Sequence, residues 1–256
     1  MALRAVTIAH TVHVDDLELL RLQLDTRFEH AGGRILRENA PDHAAAPRLC
    51  LGGCFAGNIL RLRHDVAEPT AKRIEALAKN EPPLANEDST PVNLDAYVEL
   101  LTEDEPVKRC EAGLAWVFPD RRKYQQRAWL IRSGTHEGDR LIARLRDRGM
   151  PEELVRLGFK DTGELWEPWC IALEGEEIAS IAFSARLGKR AAEVGVITVP
   201  EYRGHGLASA ATAGWASHPA LHGLPLFYGA NRTNTSSRQV AARLGLRFLG
   251  ANLSIT

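Results

Sequence analysis

One stretch limits what this chain can fold into more than any other: residues 192 to 215, AEVGVITVPEYRGHGLASAATAGW. Val194, Val196, Ile197, Thr198 and Val199 are β-branched, stiff at χ1 and suited to a pleated surface, and Pro200 then removes the N–H that would continue a ladder. A strand should end there. Gly204 and Gly206 allow backbone conformations closed to other residues and leave no Cβ between the loop amides and a ligand. Leu207, Ala211 and Trp215 recur every four residues, so a helix begins as the glycines end. The unpaired N–H groups of its first turn, the positive end of its dipole and Arg203 together suit a di-anion such as a pyrophosphate.

Other anion-binding loops fit less well. Gly204-x-Gly206 begins a Gly-x-Gly-x-x-Gly dinucleotide fingerprint, but the third position is Ser209 and no second βαβ unit follows. A Walker loop is excluded because no Gly-Lys-Ser/Thr occurs.

Arg203-Gly204-His205-Gly206-Leu207-Ala208 resembles the Arg/Gln-x-x-Gly-x-Gly/Ala signature of the GNAT N-acetyltransferase superfamily, with a Pro-x-Tyr lead-in at Pro200 and Tyr202. A second block is similar to the family's next strand and helix: Leu224 to Ala230, then Asn234 and Ser237 three residues apart, closing on Leu244-Gly245-Leu246 where the family has Leu-Gly-Phe. The likeness covers roughly residues 126 to 256. It implies a mixed sheet with helices on both sides, in the order β, α, α, β, β, β, α, β, α, β.

The same resemblance implies an acetyl-CoA-dependent acyltransferase. Cofactor contacts are expected from the main chain of Ile197, Thr198 and Val199, from the loop Arg203, Gly204, His205, Gly206, Leu207 and Ala208, and from Asn234 and Ser237. A strand N–H would serve the oxyanion. Glu193 is the candidate base, as the ionisable residue inside an apolar strand that would raise its pKa; its alternative is a place at the exposed start of the strand. Ala241 stands where many members carry the tyrosine that protonates the departing thiolate. Tyr228 on the neighbouring strand is a candidate replacement, or else a core tyrosine. His205 is expected as a phosphate neighbour.

The first half reads as a smaller α+β domain, residues 1 to 118, of unknown role and on the acceptor side if it has one. Asp15 to Asp25 has helical spacing with Asp15 or Asp16 as cap, and Arg27 to Glu38 is a hairpin around Gly32-Gly33. Arg48 to Leu51 and Ile59 to Arg63 make a second hairpin. Helices are expected from Pro69 to about Asn80 and, behind a Thr90 cap, over Leu94 to Leu101. Between them Glu81 to Pro91 is an acidic, proline-rich connector expected on the surface. Cys110 to Phe118 reads as a strand, and Pro119 to Gln126, with Asp120-Arg-Arg-Lys123, as a linker to a GNAT domain over 126 to 256. His64 beside Asp65 suggests a strand-end role rather than an acid–base pair, since neighbours on an extended chain point opposite ways.

The net charge of −1 supplies no general attraction to nucleic acid or a membrane surface. Arg4 and His10 interrupt any apolar signal core, and no run approaches a membrane span, so a cytoplasmic protein is expected. Cys50 and Cys54 flank a turn-like Leu51-Gly52-Gly53 without a second ligand pair; with Cys110 and Cys170 they read as reduced thiols, and no metal site is expected. The acceptor is expected to be the primary amine of a small molecule. A CoA-binding regulatory module with little catalysis, or a protein N-acetyltransferase, are the alternatives. Oligomeric state is not legible.

Overall fold

The computed structural model describes residues 15–119 and 128–256. The readings of the first ten residues and of the linker at 120 to 126 lie outside the described residues. In chain order the elements are α1 (Asp16–Arg27), β1 (Phe28–Ala31), β2 (Arg34–Glu38), β3 (Leu49–Cys54), β4 (Gly57–Leu62), α2 (Glu68–Ala78), α3 (Leu94–Thr102) and β5 (Cys110–Val117). There follow β6 (Trp129–Arg132), α4 (His136–Arg148), α5 (Glu152–Arg156), β7 (Trp169–Glu174), β8 (Glu177–Leu187), β9 (Ala192–Thr198), α6 (Leu207–Ala216), β10 (Leu226–Asn231), α7 (Thr235–Arg243) and β11 (Arg247–Ile255). From β6 onward this is the order the resemblance implies.

Nine strands form one sheet in the order β4-β3-β11-β5-β10-β9-β8-β7-β6, and β1 and β2 form a separate hairpin. The sheet is continuous across the division expected at 118 to 126. Strand β5 lies between β10 and β11 and is antiparallel to both, with Val117 opposite Phe227 on one side and Arg247 on the other. Its C-terminal half is buried, as a strand with neighbours on both edges requires.

Helices cover both faces. Leu114, Trp116, Val194 and Tyr228 pack with Tyr97, Leu101, Trp215 and Val240 from α3, α6 and α7. On the other face Ala115, Val117 and Phe227 pack under Leu20 and Leu24 of α1, and Ile171, Ile181 and Phe183 under Leu141 and Leu145 of α4. Helix α1 starts where Asp15 Oδ1 accepts from the N–H groups of Leu17 at 2.6 Å and Glu18 at 3.1 Å. Helix α6 sits close to β7 through Gly214, where an added Cβ would stand 2.3 Å from Cys170 Sγ.

Three expectations need correction. Gly52-Gly53 is no turn but the interior of β3; a Cβ on Gly53 would lie 2.1 Å from Asn58 Oδ1 and 2.6 Å from Leu84, so close approach of chains is what excludes a side chain there. Helix α3 is capped at Asn93 rather than Thr90. The connector after α2 is tied into the core: Glu81 and Leu84 are buried, and Glu81 accepts from Asn93 Nδ2 at 2.7 Å and Tyr97 Oη at 2.9 Å. His64 and Asp65 turn to different partners, Ile35 O and the Arg63 guanidinium, and that guanidinium holds the Asp65 carboxyl below its ordinary pKa.

Candidate active site

The site begins where two strands part. Parallel β9 and β10 pair at Ala192–Leu226, Glu193–Phe227 and Val194–Tyr228, and then separate. Past that point β9 stays on β8 through Thr198 opposite Ser180, while β10 stays on β5 through Asn231 opposite Gly113. Each strand therefore has an open edge facing the other. Val199 donates its N–H to Ala179 O on β8, so by the alternation of an antiparallel ladder Ile197 also faces β8, and Val196 and Thr198 turn their peptide groups to the gap.

A cleft of about 440 Å³ opens on the α6–α7 face of this gap. Its lining includes Val196, Ile197 and Thr198 of β9, Arg203, Gly204 and Gly206 of the loop, Leu207 and Ala208 of α6, Asn234, Ser237 and Arg243 of α7, and Tyr228. Gly204 and Gly206 have φ of +87° and +82°, and no atom lies within 4 Å of a Cβ built on Gly204. The loop can take this path because neither residue carries a side chain. Gly206 caps α6 without a side-chain bond and its carbonyl accepts from Ala210, leaving the N–H groups of Leu207, Ala208 and Ser209 free of intrahelical partners. Arg203 reaches back to Thr198 O at 3.4 Å. Asn234 Oδ1 accepts from Ser237 N at 3.0 Å and so starts α7 at the edge of the cleft.

Tyr228 is 1% exposed, and its Oη has no hydrogen-bond partner among the described residues. Burial pushes its phenol above the ordinary pKa, against a weaker opposing effect from the Ser237 side chain. Ala241 is buried in the same cluster.

Glu193 faces the opposite side of the sheet. It lines a second cavity of about 260 Å³ with Gln23, Arg27, Glu111, Asn231 and Asn252. Gln23 Nε2 donates to Glu193 Oε2 at 2.7 Å. Gly229, next to Tyr228, leaves the carboxylate uncovered: a Cβ there would stand 3.4 Å from Oε1. The two cavities lie on either face of the opening between β9 and β10, with Tyr228 on one and Glu193 and Gly229 on the other. Glu193 is therefore a cavity residue, not an exposed strand end.

Three expected contacts fall elsewhere. The peptide groups of Ile197 face β8, its carbonyl accepting from Ser180 Oγ at 3.0 Å. His205 is outside the cleft lining, and its Nδ1 lies 3.6 Å from Glu174 Oε1 because the residue between two positive-φ glycines is turned toward the β7–β8 hairpin. Val199 is buried in the core beneath α4 and its N–H is taken by Ala179. Val196, Tyr202 and Arg243 line the cleft without having been expected there. The alternation that selects Val196 over Val199 needs the pairing register, which the β-branched run alone does not carry.

The cleft suits an extended molecule with amide groups at one end and a di-anion at the other. Strand peptide groups are open at one end, and free helix N–H groups with Arg203 and Arg243 lie at the other. Coenzyme A has that shape and chemistry.

Residues 170–251 match the family model described as GNAT acetyltransferase. No curated protein matches the chain. Among solved structures it is similar to a GNAT-family protein from Novosphingobium aromaticivorans, with 20% identity, 58% of this chain and 65% of that chain covered, and a TM-score of 0.43. A GNAT acetyltransferase from Colwellia psychrerythraea has 16% identity, 64% and 61% coverage, and a TM-score of 0.41. One from Kribbella flavida has 13% identity, 93% coverage of both chains, and a TM-score of 0.42. The chain thus spans a little under two thirds of the first two. It carries, in its C-terminal half, a domain of the GNAT acetyltransferase family.

Proposed function

We propose that this protein is an acetyl-CoA-dependent N-acyltransferase that moves an acetyl group to the primary amine of a small molecule in a ternary complex, acting in the cytoplasm. The observation that carries the reading is the opening between β9 and β10, with a nucleotide-shaped cleft on one face and a carboxylate-bearing cavity on the other. The free thiols of the four cysteines agree with a reducing compartment. Among the described residues no helix is long and apolar enough to cross a membrane.

Each residue has a task in this scheme. The N–H groups of Leu207, Ala208 and Ser209, with Arg203 and Arg243, hold the pyrophosphate, and Val196 and Thr198 pair with the pantetheine amides. Bound there, acetyl-CoA supplies the thioester. Glu193 accepts a proton from the amine as its nitrogen bonds to the acetyl carbon. The free strand N–H groups stabilise the oxyanion, and Tyr228 gives its Oη proton to the sulfur as the C–S bond breaks.

Calorimetric titration with acetyl-CoA, followed by thiol release against a panel of amines, tests the reading. Binding with turnover of simple amines is expected. Binding without turnover of any amine would assign a CoA-binding module instead, turnover of polypeptide alone a protein acetyltransferase, and no binding would remove the cofactor assignment.

A further inference from the structure

The cavity on the Glu193 face holds a cation that no described residue pairs. Arg27 ends α1 and lines that cavity, yet its guanidinium makes no hydrogen bond or ion pair with any described residue; Cζ lies 5.2 Å from the centroid of its neighbour Phe28. The carboxylates around it are committed elsewhere. Glu38 is paired with Arg186, Glu111 lies 3.4 Å from Arg109, and Glu193 accepts from Gln23. Burial works against charge on Arg27, while the nearby carboxylates of Glu193, Glu38 and Glu111 favour it, and the guanidinium stays protonated. The cavity is therefore dipolar, with an available guanidinium at one place and, at another, a carboxylate that accepts from Gln23 through one oxygen.

We propose that the acceptor is an aminocarboxylate, a small molecule whose carboxylate pairs with Arg27 while its amine faces Glu193. This rests on the acetyl-transfer reading above. A guanidinium fork matches a carboxylate in a bidentate pair, whereas a neutral amine would leave Arg27 desolvated and unanswered. A phosphate would bring close to two negative charges against Glu111 and Glu193. A zwitterion brings one of each sign; its ammonium gives one proton to solvent to become the nucleophilic amine, and Glu193 takes the second as the N–C bond forms. Asn231 and Asn252, opposite Gly113 on either side of β5, offer side-chain amides to the rest of the molecule.

The test uses the full chain with acetyl-CoA or CoA. The standard L-amino acids are screened by calorimetry and thiol release, and each responder is compared with its carboxamide and with the amine lacking the carboxyl group. The carboxylate form is expected to have a KM or Kd lower by about tenfold or more, the scale of one charge-assisted pair. Arg27→Gln should remove that preference while changing the descarboxy amine by less than about twofold, and Arg27→Lys should restore part of it. Equal treatment of the three forms by the wild type, or binding of no amino acid, overturns the proposal whether or not Arg27→Gln folds. Arg27-dependent binding of amino acids without thiol release from any amine would keep the Arg27 carboxylate site and remove the acetyl-transfer reading. Turnover indifferent to the carboxylate would do the reverse.

Discussion

The side-chain amide of Gln23 donates to Oε2 of Glu193 at 2.7 Å, joining residues 170 positions apart. Helix α1, from the first half of the chain, thereby orients the carboxylate of a strand in the second half. Replacing the proposed base and replacing the residue that holds it should differ in size. Glu193→Gln is expected to lower kcat by about a hundredfold or more, the usual scale of a lost general base. Gln23→Leu should lower it by about tenfold, because the carboxylate remains but is no longer held. Both should bind acetyl-CoA with wild-type affinity by calorimetry. A loss of affinity equal to the loss of rate would place Glu193 in the cofactor cleft.

Tyr228→Phe separates activity from stability. The hydroxyl is buried with no hydrogen-bond partner among the described residues, so its removal should leave the urea midpoint unchanged or raise stability by about 1 kcal/mol, while kcat falls by about tenfold. The phenol pKa is raised in the folded protein, so the stability Tyr228 contributes is fully present below its unfolded value, about 10, and is lost as pH rises through the folded value. Between pH 10 and higher values the wild type should therefore lose more stability than the variant. Full activity in Tyr228→Phe would return Tyr228 to a packing role.

Gly206→Val should weaken acetyl-CoA binding by about a hundredfold with little change in the far-ultraviolet circular dichroism. Gly206 has φ of +82°, where a β-branched residue is strained by about 1–3 kcal/mol, and its added methyls would stand before the free N–H groups of α6. The nearest atom to a Cβ there is Arg243 Nη1 at 4.0 Å, so the surrounding core need not move. Calorimetric affinity within twofold of wild type would remove the loop from the cofactor site.

Glu81→Ala should cost about 3 kcal/mol in urea unfolding, the scale of breaking a buried charged hydrogen-bond network. Glu81 accepts from the N–H groups of Val92 and Asn93, from Asn93 Nδ2 and from Tyr97 Oη, and the variant leaves the Tyr97 hydroxyl buried and unpaired. A change below about 0.5 kcal/mol would mean that the segment after α2 is held by Leu84 and by the Asn58 bonds to the Glu81 and Pro82 carbonyls.

The glycine loop was legible because everything that specifies it is local. A β-branched run, a proline, two glycines that adopt positive φ and a four-residue apolar period all act within 24 consecutive residues, and strand β9, the loop and α6 follow in that order. Asn234 and Ser237 stood out in the sequence only as a pair three residues apart, and the structure made Asn234 the cap of α7. His205 was placed wrongly by that logic: adjacency in sequence put it beside the phosphate site, but the turn between Gly204 and Gly206 directs its ring to Glu174. Val199 failed because a peptide group's direction depends on which strand pairs with it.

By itself the sequence determined the strand, loop and helix around Gly204 and Gly206 and the hairpin around Gly32-Gly33, since each depends on propensities and periods of a few residues; the element order after residue 128 followed from the family resemblance. Only the tertiary structure decided that β5 lies between β10 and β11, that Tyr228 and Glu193 open onto opposite faces of one gap, and that Arg27 and Gln23 stand in the cavity with Glu193. Those placements are set by long-range strand pairing and by the burial of α1 on the sheet, contacts between residues far apart in the chain for which no local pattern exists.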